Sequence, residues 1–214
     1  MAAASEMLST AEAAVVSRVA LRDVNRVIDE RILPESLVSH GDGRRISAGA
    51  SALIAFYFES ATRLTSEERQ YAIRWAEPRL RDWQRHMSAE LLSFDWIVSH
   101  DFLKIDLRPF FERSIGRLER LMAARELVCT SADVMGGMPV VRGTRIPVYD
   151  VASAKAAGAS DKELLEDYPS LTPETLELAI LYTEANPRRG RPRPLATALP
   201  EGTRKLSVRH VRRR

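Results

Sequence analysis

The sequence predicts a mainly α-helical chain, and three observations predict it. Apolar residues recur at helical spacing in separate segments, as at Val24, Val27 and Ile28 and again at Phe111, Ile115, Leu118 and Met122. Several of these segments open on a Ser or Thr that caps a helix start and close on a Gly or Pro. The strand signals are short and gather around glycine turns. Apolar residues make up 45% of 214, enough for a packed core.

Ser9 and Glu12 have the spacing of a capping box, which predicts a short helix over Ala11–Val16. Ser17 starts a turn, and a second helix runs from Ala20 to Glu30. One face of that helix carries Val24, Val27 and Ile28, and the other carries Arg22, Asn25, Arg26 and Asp29. Pro34 closes the unit. Leu37–Val38 and Arg44–Ile46 pair as strands around Gly41-Asp42-Gly43, and Ser47 caps a helix over Ala48–Glu59.

Two short helices followed by a glycine-tipped hairpin are the order of a winged helix-turn-helix, assigned to residues 1–62. In that arrangement the second helix enters the major groove and the wing tracks the backbone. Arginine pairs with guanine and asparagine with adenine. Arg18, Arg22, Asn25 and Arg26 are therefore candidate DNA-binding residues, with Arg44 and Arg45 beside the wing tip as candidate phosphate contacts. The same residues also fit a solvated amphipathic helix next to an ordinary hairpin. Asp29 and Glu30 repel phosphate unless they are turned away.

Residues 63–127 read as a helical linking region. Thr65 and Glu68 form another capping box, opening a helix that Pro78 bends or ends. Phe94–Val98 and Phe102–Leu107 read as strands joined at Ser99-His100-Asp101, and Pro109 lies near the start of a long helix. The apolar stripe of that helix is either core or a dimer seam.

Residues 128–187 begin with glycine turns. Val140-Val141 and Arg145-Ile146 flank Gly143 as a tight hairpin that Pro147 stops. Three helices follow: Tyr149–Ala157 ended by Gly158, Asp161–Asp167 capped by Ser160, and one capped by Thr172 with Pro173 at its first position and ended by Asn186-Pro187. They form a second helix-turn-helix-like module. Its third helix carries Glu174, Glu177 and Glu184, a poor surface for DNA, so dimerisation or partner docking is expected of it. Arg142 and Arg145 either lock the hairpin or touch a partner.

The run from Gly137 through Pro139-Val140-Val141-Arg142-Gly143-Thr144-Arg145-Ile146-Pro147-Val148, followed by Asp167-Tyr168-Pro169 and Leu171-Thr172, resembles a bacterial antitoxin family long filed as a domain of unknown function. The resemblance runs from Val134 to Asn186. It implies a VapB-type antitoxin whose partner is a PIN-like ribonuclease toxin. More loosely, Val24-Asn25-Arg26 and Ile28-Asp29-Glu30 before Leu33-Pro34 resemble the larger mycobacterial-type members. Those members typically have glycine where this chain has Arg31, so the end of the second helix differs here.

The net charge of +3 hides a division. Residues 188–214 hold ten Lys and Arg against one Glu, and the preceding 187 residues hold 22 Lys and Arg against 28 Asp and Glu. Such asymmetry marks an interaction tail. Arg188, Arg189, Arg191 and Arg193 alternate with Gly and Pro, and Arg204 and Lys205 open a second cluster. Proline spacing favours an extended chain. A PIN-like nuclease, as the resemblance implies, holds metal with clustered carboxylates. Guanidinium groups pair bidentately with such carboxylates. These six residues are the candidate toxin-binding set. A nonspecific nucleic-acid tail and a solvated tail without a role are the other readings.

No apolar run approaches the roughly 18 residues of a membrane helix. The first residues lack the pattern of a secretory signal, and Cys129 has no second cysteine to pair with, so the cytoplasm is the expected compartment. The four histidines show no metal-ligand spacing, and neither a phosphate loop nor a nucleophile motif is present. An enzyme, a metal and a cofactor are not expected. The expectation is an antitoxin that neutralises a ribonuclease and, as a homodimer, binds palindromic operator DNA. A stand-alone transcription regulator with a DNA-binding basic tail is the alternative.

Overall fold

Ser9 starts the first helix as its spacing predicts. Its hydroxyl accepts from the Glu12 amide at 3.3 Å, and the Glu12 carboxylate accepts from the Ser9 amide at 2.8 Å. In the computed structural model, which describes residues 6–41, 43–86, 91–100 and 102–188, α1 (Thr10–Ser17) is followed by α2 (Leu21–Asp29). Arg18 makes the turn between them in the left-handed region, at φ 56°.

Three strands frame this helix pair: β1 (Met7–Ser9), β2 (Val38–Ser39) and β3 (Arg45–Ser47). They form one antiparallel sheet in the order β1-β3-β2, with Leu8 and Val38 both opposite Ile46. β1 has no signature in the sequence, because three residues give no alternation to read. Ser47 does not cap the following helix. It ends β3, opposite Met7, and α3 (Ala50–Glu59) starts after Gly49.

Thr65 and Glu68 close their capping box and open α4 (Ser66–His86), which runs through Pro78 rather than stopping there. A hairpin of β4 (Ile97–His100) and β5 (Leu103–Asp106) leads into α5 (Arg108–Leu127). The stripe of α5 is core. Phe111, Leu118 and Leu121 are buried, and the helix packs on α1, on α3 and on the last helix of the chain. Trp96 is fully buried against Phe111, with ring centroids 4.0 Å apart, and its indole N–H donates to the Leu91 carbonyl at 2.6 Å.

The chain then turns back as β6 (Val128–Cys129), which pairs with β7 (Val140–Val141). The expected partner of Val140-Val141 was Arg145-Ile146. The chain does turn tightly at Gly143, with the Val141 amide donating to the Ile146 carbonyl at 3.0 Å, the Thr144 amide to the Val141 carbonyl at 3.0 Å and the Val148 amide to the Pro139 carbonyl at 3.1 Å, but the returning arm makes an isolated bridge, Val140 to Pro147, and not a strand. Pro147 sits at the bridge position whose own amide is not used, and α6 begins at the next residue. Three helices follow: α6 (Val148–Ala156), α7 (Asp161–Asp167) and α8 (Pro173–Ala185), the last two capped by Ser160 and Thr172.

The described chain is mainly α-helical with small antiparallel sheets. One apolar core spans Leu8 to Leu121 and also takes in Ala185. A second, built from Val128, Val141, Val148, Val151, Leu164, Leu171, Leu176 and Ala179, belongs to the C-terminal helices. The two are tied through α5 and α8, the most extensive helix contact, and Arg125 near the end of α5 ties that helix to the N-terminal unit. Its guanidinium pairs with Glu6 and, at 2.7 Å, with the buried Glu12. Burial works against that charge, but the bonds from Glu12 and Glu6 outweigh it and raise the guanidinium pKa above its ordinary value.

Candidate nucleic-acid interface

Val24, Val27 and Ile28 bury one side of α2, which leaves Leu21, Arg22, Arg26, Asp29 and Glu30 exposed. Of the predicted DNA-binding residues, Arg22 is wide open, with its side chain 88% exposed and a long 3.7 Å approach to Asp23. Asn25 is half-buried, and its amide donates back to the Leu21 carbonyl at 3.0 Å. That bond uses one of its donor hydrogens, so the amide oxygen stays available to an outside donor.

Arg26 is paired. Its Nε donates to Glu30 at 2.8 Å, which raises the guanidinium pKa. Arg44, from the wing, pairs with Asp29 at 2.8 Å, and Arg45 donates to the Met7 carbonyl at 3.4 Å. The wing is thus drawn against the last turn of α2. Arg22, Asn25, Arg26, Arg44 and Arg45 lie on α2 and the wing strand beside it. The two carboxylates in the patch are already engaged, which lowers their repulsion toward a phosphate.

Arg18 is elsewhere. It lines a groove of about 840 Å³ between the α1–α2 turn, α5 and α8, opposite Arg117. Nothing in the linear sequence brings residues 18 and 117 together, so this groove was not legible there.

In the C-terminal module, Arg142 donates from Nε to the Glu126 carbonyl at 2.8 Å and locks β7 to the end of α5. Arg145 is exposed, and no described residue pairs with it. Of the α8 acids, Glu177 pairs with Arg120, while Glu174 and Glu184 are exposed. The first tail residue, Arg188, lies over the Tyr149 ring at 4.5 Å and 3.9 Å from Asp150. The Tyr149 hydroxyl donates to the Asn186 carbonyl at 2.6 Å. The tail therefore leaves the body across the first turn of α6. Arg189, Arg191, Arg193, Arg204 and Lys205 lie outside the described residues, as do Asp42 and Asp101 at the hairpin tips.

The uncharacterized protein y4eO of Sinorhizobium fredii is 58% identical over 214 residues, covering 100% of this chain and 96% of the relative. This chain belongs to the y4eO family. Within it, residues 128–183 match the family described as a protein of unknown function, DUF433. That segment contains β6, β7, α6, α7 and nearly all of α8, the second core. The winged region of the y4eO-family chain lies outside the match. No solved structure matches the chain. Among the described residues no helix is long and apolar enough to cross a membrane, and no group of three His, Cys, Asp or Glu is placed to hold a metal.

Proposed function

We propose that this protein is the antitoxin of a toxin–antitoxin pair. It binds operator DNA through α2 and the wing, and it neutralises a PIN-like ribonuclease through its basic tail. The observation that carries the DNA half is the joining of wing to helix: Arg44 on Asp29 fixes the hairpin beside an exposed helix face bearing Arg22, Asn25 and Arg26. A helix with Arg and Asn on its open face, flanked by a cationic wing, suits a major groove and its bordering phosphates. The partner half is supported by the antitoxin-like motif from Gly137 to Thr172 and by the ten cations of residues 188–214. Guanidinium groups suit a carboxylate-lined nuclease site, and opposite charge speeds association.

The test is binding of the purified chain to the DNA upstream of its own reading frame, against unrelated DNA of equal length. Preference for the upstream DNA, lost in R22A/N25A, is the expected result. Equal binding to both DNAs, or no change in the variant, contradicts it. The composition of the tail also favours a second reading, a stand-alone regulator whose tail adds affinity for DNA. That reading expects tail loss to weaken DNA binding with no protein partner involved.

A further inference from the structure

The groove beside Arg18 is amphipathic in a specific way. Its apolar lining includes Val15, Leu21, Ile180 and Leu181. Leu21 is 40% exposed, one of few large apolar side chains so open. The charges of the groove divide into paired and unpaired. Arg120 is paired with Glu177 and Lys155 with Asp161. Arg18 and Arg117 have no carboxylate partner among the described residues, and Glu184 on α8 has no cation partner among them, so the unpaired charges are two guanidinium groups against one carboxylate. Among the described residues, the Arg117 guanidinium donates to the Val16 carbonyl at 3.3 Å. The acid that favours its charge, Glu59, is committed to Arg113 at 2.7 Å. Burial lowers the Arg117 pKa, and the nearby Arg18 and Arg113 act in the same direction. Two such guanidinium groups beside an apolar lining are complementary to a carboxylate carried on an apolar segment. They are less suited to nucleic acid, whose sugar-phosphate edge has no apolar side to cover leucines.

The tail argues for which molecule supplies that segment. α8 forms one wall of the groove through Ile180, Leu181 and Glu184, and the basic tail starts directly after α8 at Arg188. A partner with an acidic surface, held by the tail, is therefore within reach of the groove. We propose that this groove is a second docking site for the ribonuclease partner, taking an amphipathic segment whose apolar side lies on Val15, Leu21, Ile180 and Leu181 and whose carboxylates meet Arg18 and Arg117. The inference rests on the antitoxin reading and extends it, adding contact at the groove to contact at the tail. Two linked contacts multiply affinity through effective concentration.

The experiment uses the full chain and the ribonuclease encoded in the adjacent reading frame, with affinity measured by calorimetry. R18E reverses a charge of the groove, L181E places a carboxylate on its apolar lining, and R74E, on the exposed side of α4, is a charge-reversal control outside the groove. Thermal melts check that each variant folds. R18E and L181E are expected to weaken partner binding about tenfold or more, a loss typical of a truncated or reversed interface charge, while R74E leaves it unchanged. Equal affinity in all three variants overturns the groove as a partner site and leaves the antitoxin reading standing. A wild-type chain that binds no neighbouring product overturns both. If R18E instead loses operator binding and keeps the partner, Arg18 serves DNA and the proposal fails. It also fails if the groove variants only convert a dimer of this chain to monomer.

Discussion

Arg44, at the base of the wing, reaches Asp29 in the last turn of α2, with 2.8 Å between Nη2 and Oδ1. Both side chains are about half exposed, so the pair is a positioning contact more than a source of stability, since exposed pairs contribute about 0–1 kcal/mol. D29N is expected to leave the melting temperature nearly unchanged. It also removes a carboxylate from the proposed DNA face and frees Arg44 for phosphate. Binding to nonspecific DNA at low salt is expected to tighten, while R44A weakens it and reduces the salt slope by about 1. Fluorescence anisotropy across a salt series measures both, and unchanged affinity in both variants removes the wing from the interface.

Arg31 has φ 51°, a left-handed backbone just after α2. A non-glycine residue there costs roughly 1–2 kcal/mol, partly offset by the greater chain entropy that glycine loses on folding. R31G is expected to stabilise the protein by about 0.5–1 kcal/mol, read as a rise of about 1–4 °C in Tm. A fall in Tm would mean that the exposed Arg31 side chain contributes more than its backbone costs.

Glu12 serves two purposes at once, capping α1 through Ser9 and pairing with Arg125. E12Q keeps the capping bond and the packing but leaves Arg125 with less compensation. A loss of about 2–3 kcal/mol is expected in urea unfolding, toward the lower end for a partly buried pair. A loss under about 0.5 kcal/mol, the scale of ordinary surface changes, contradicts the view that Arg125 joins the N-terminal unit to α5.

Glu68 and Glu163 are held below the ordinary carboxylate range, first by the backbone amides of Thr65 and Ser160 and then by the hydroxyls of the same residues. A carboxylate whose pKa is depressed by folding adds stability above its unfolded pKa and loses it as pH falls through the folded one. Stability is therefore expected to decline on acidification through and below the usual carboxylate range. E68Q/E163Q is expected to be less stable near neutrality and less sensitive to acid. Parallel unfolding curves for wild type and variant across that range contradict the assignment.

Four helix starts were legible because capping is local. Ser9–Glu12, Thr65–Glu68, Ser160–Glu163 and Thr172 each satisfy amides within three residues. Pairing between distant segments was not legible. β1 pairs with a strand nearly forty residues away, and β6 meets β7 across a glycine-containing loop. Pro78 signals a bend or an end, and of the two the end does not occur, since α4 continues to His86. In the candidate site the exposed face of α2 followed from periodicity. The ion pairs at Asp29 and Glu30 did not, nor did the separation of Arg18 from the other arginines. The pairs depend on side-chain placement, and the position of Arg18 depends on where α5 and α8 pack.

The most direct test of the central claim is reconstitution. The chain is co-expressed with its neighbouring reading frames, a co-purifying protein is separated, and ribonuclease activity is measured before and after the chain is added back. The account predicts activity in the separated partner and its loss on stoichiometric addition of this chain. A chain that purifies alone and binds its upstream DNA tightly contradicts the antitoxin account and makes the arginine tail a DNA-binding element.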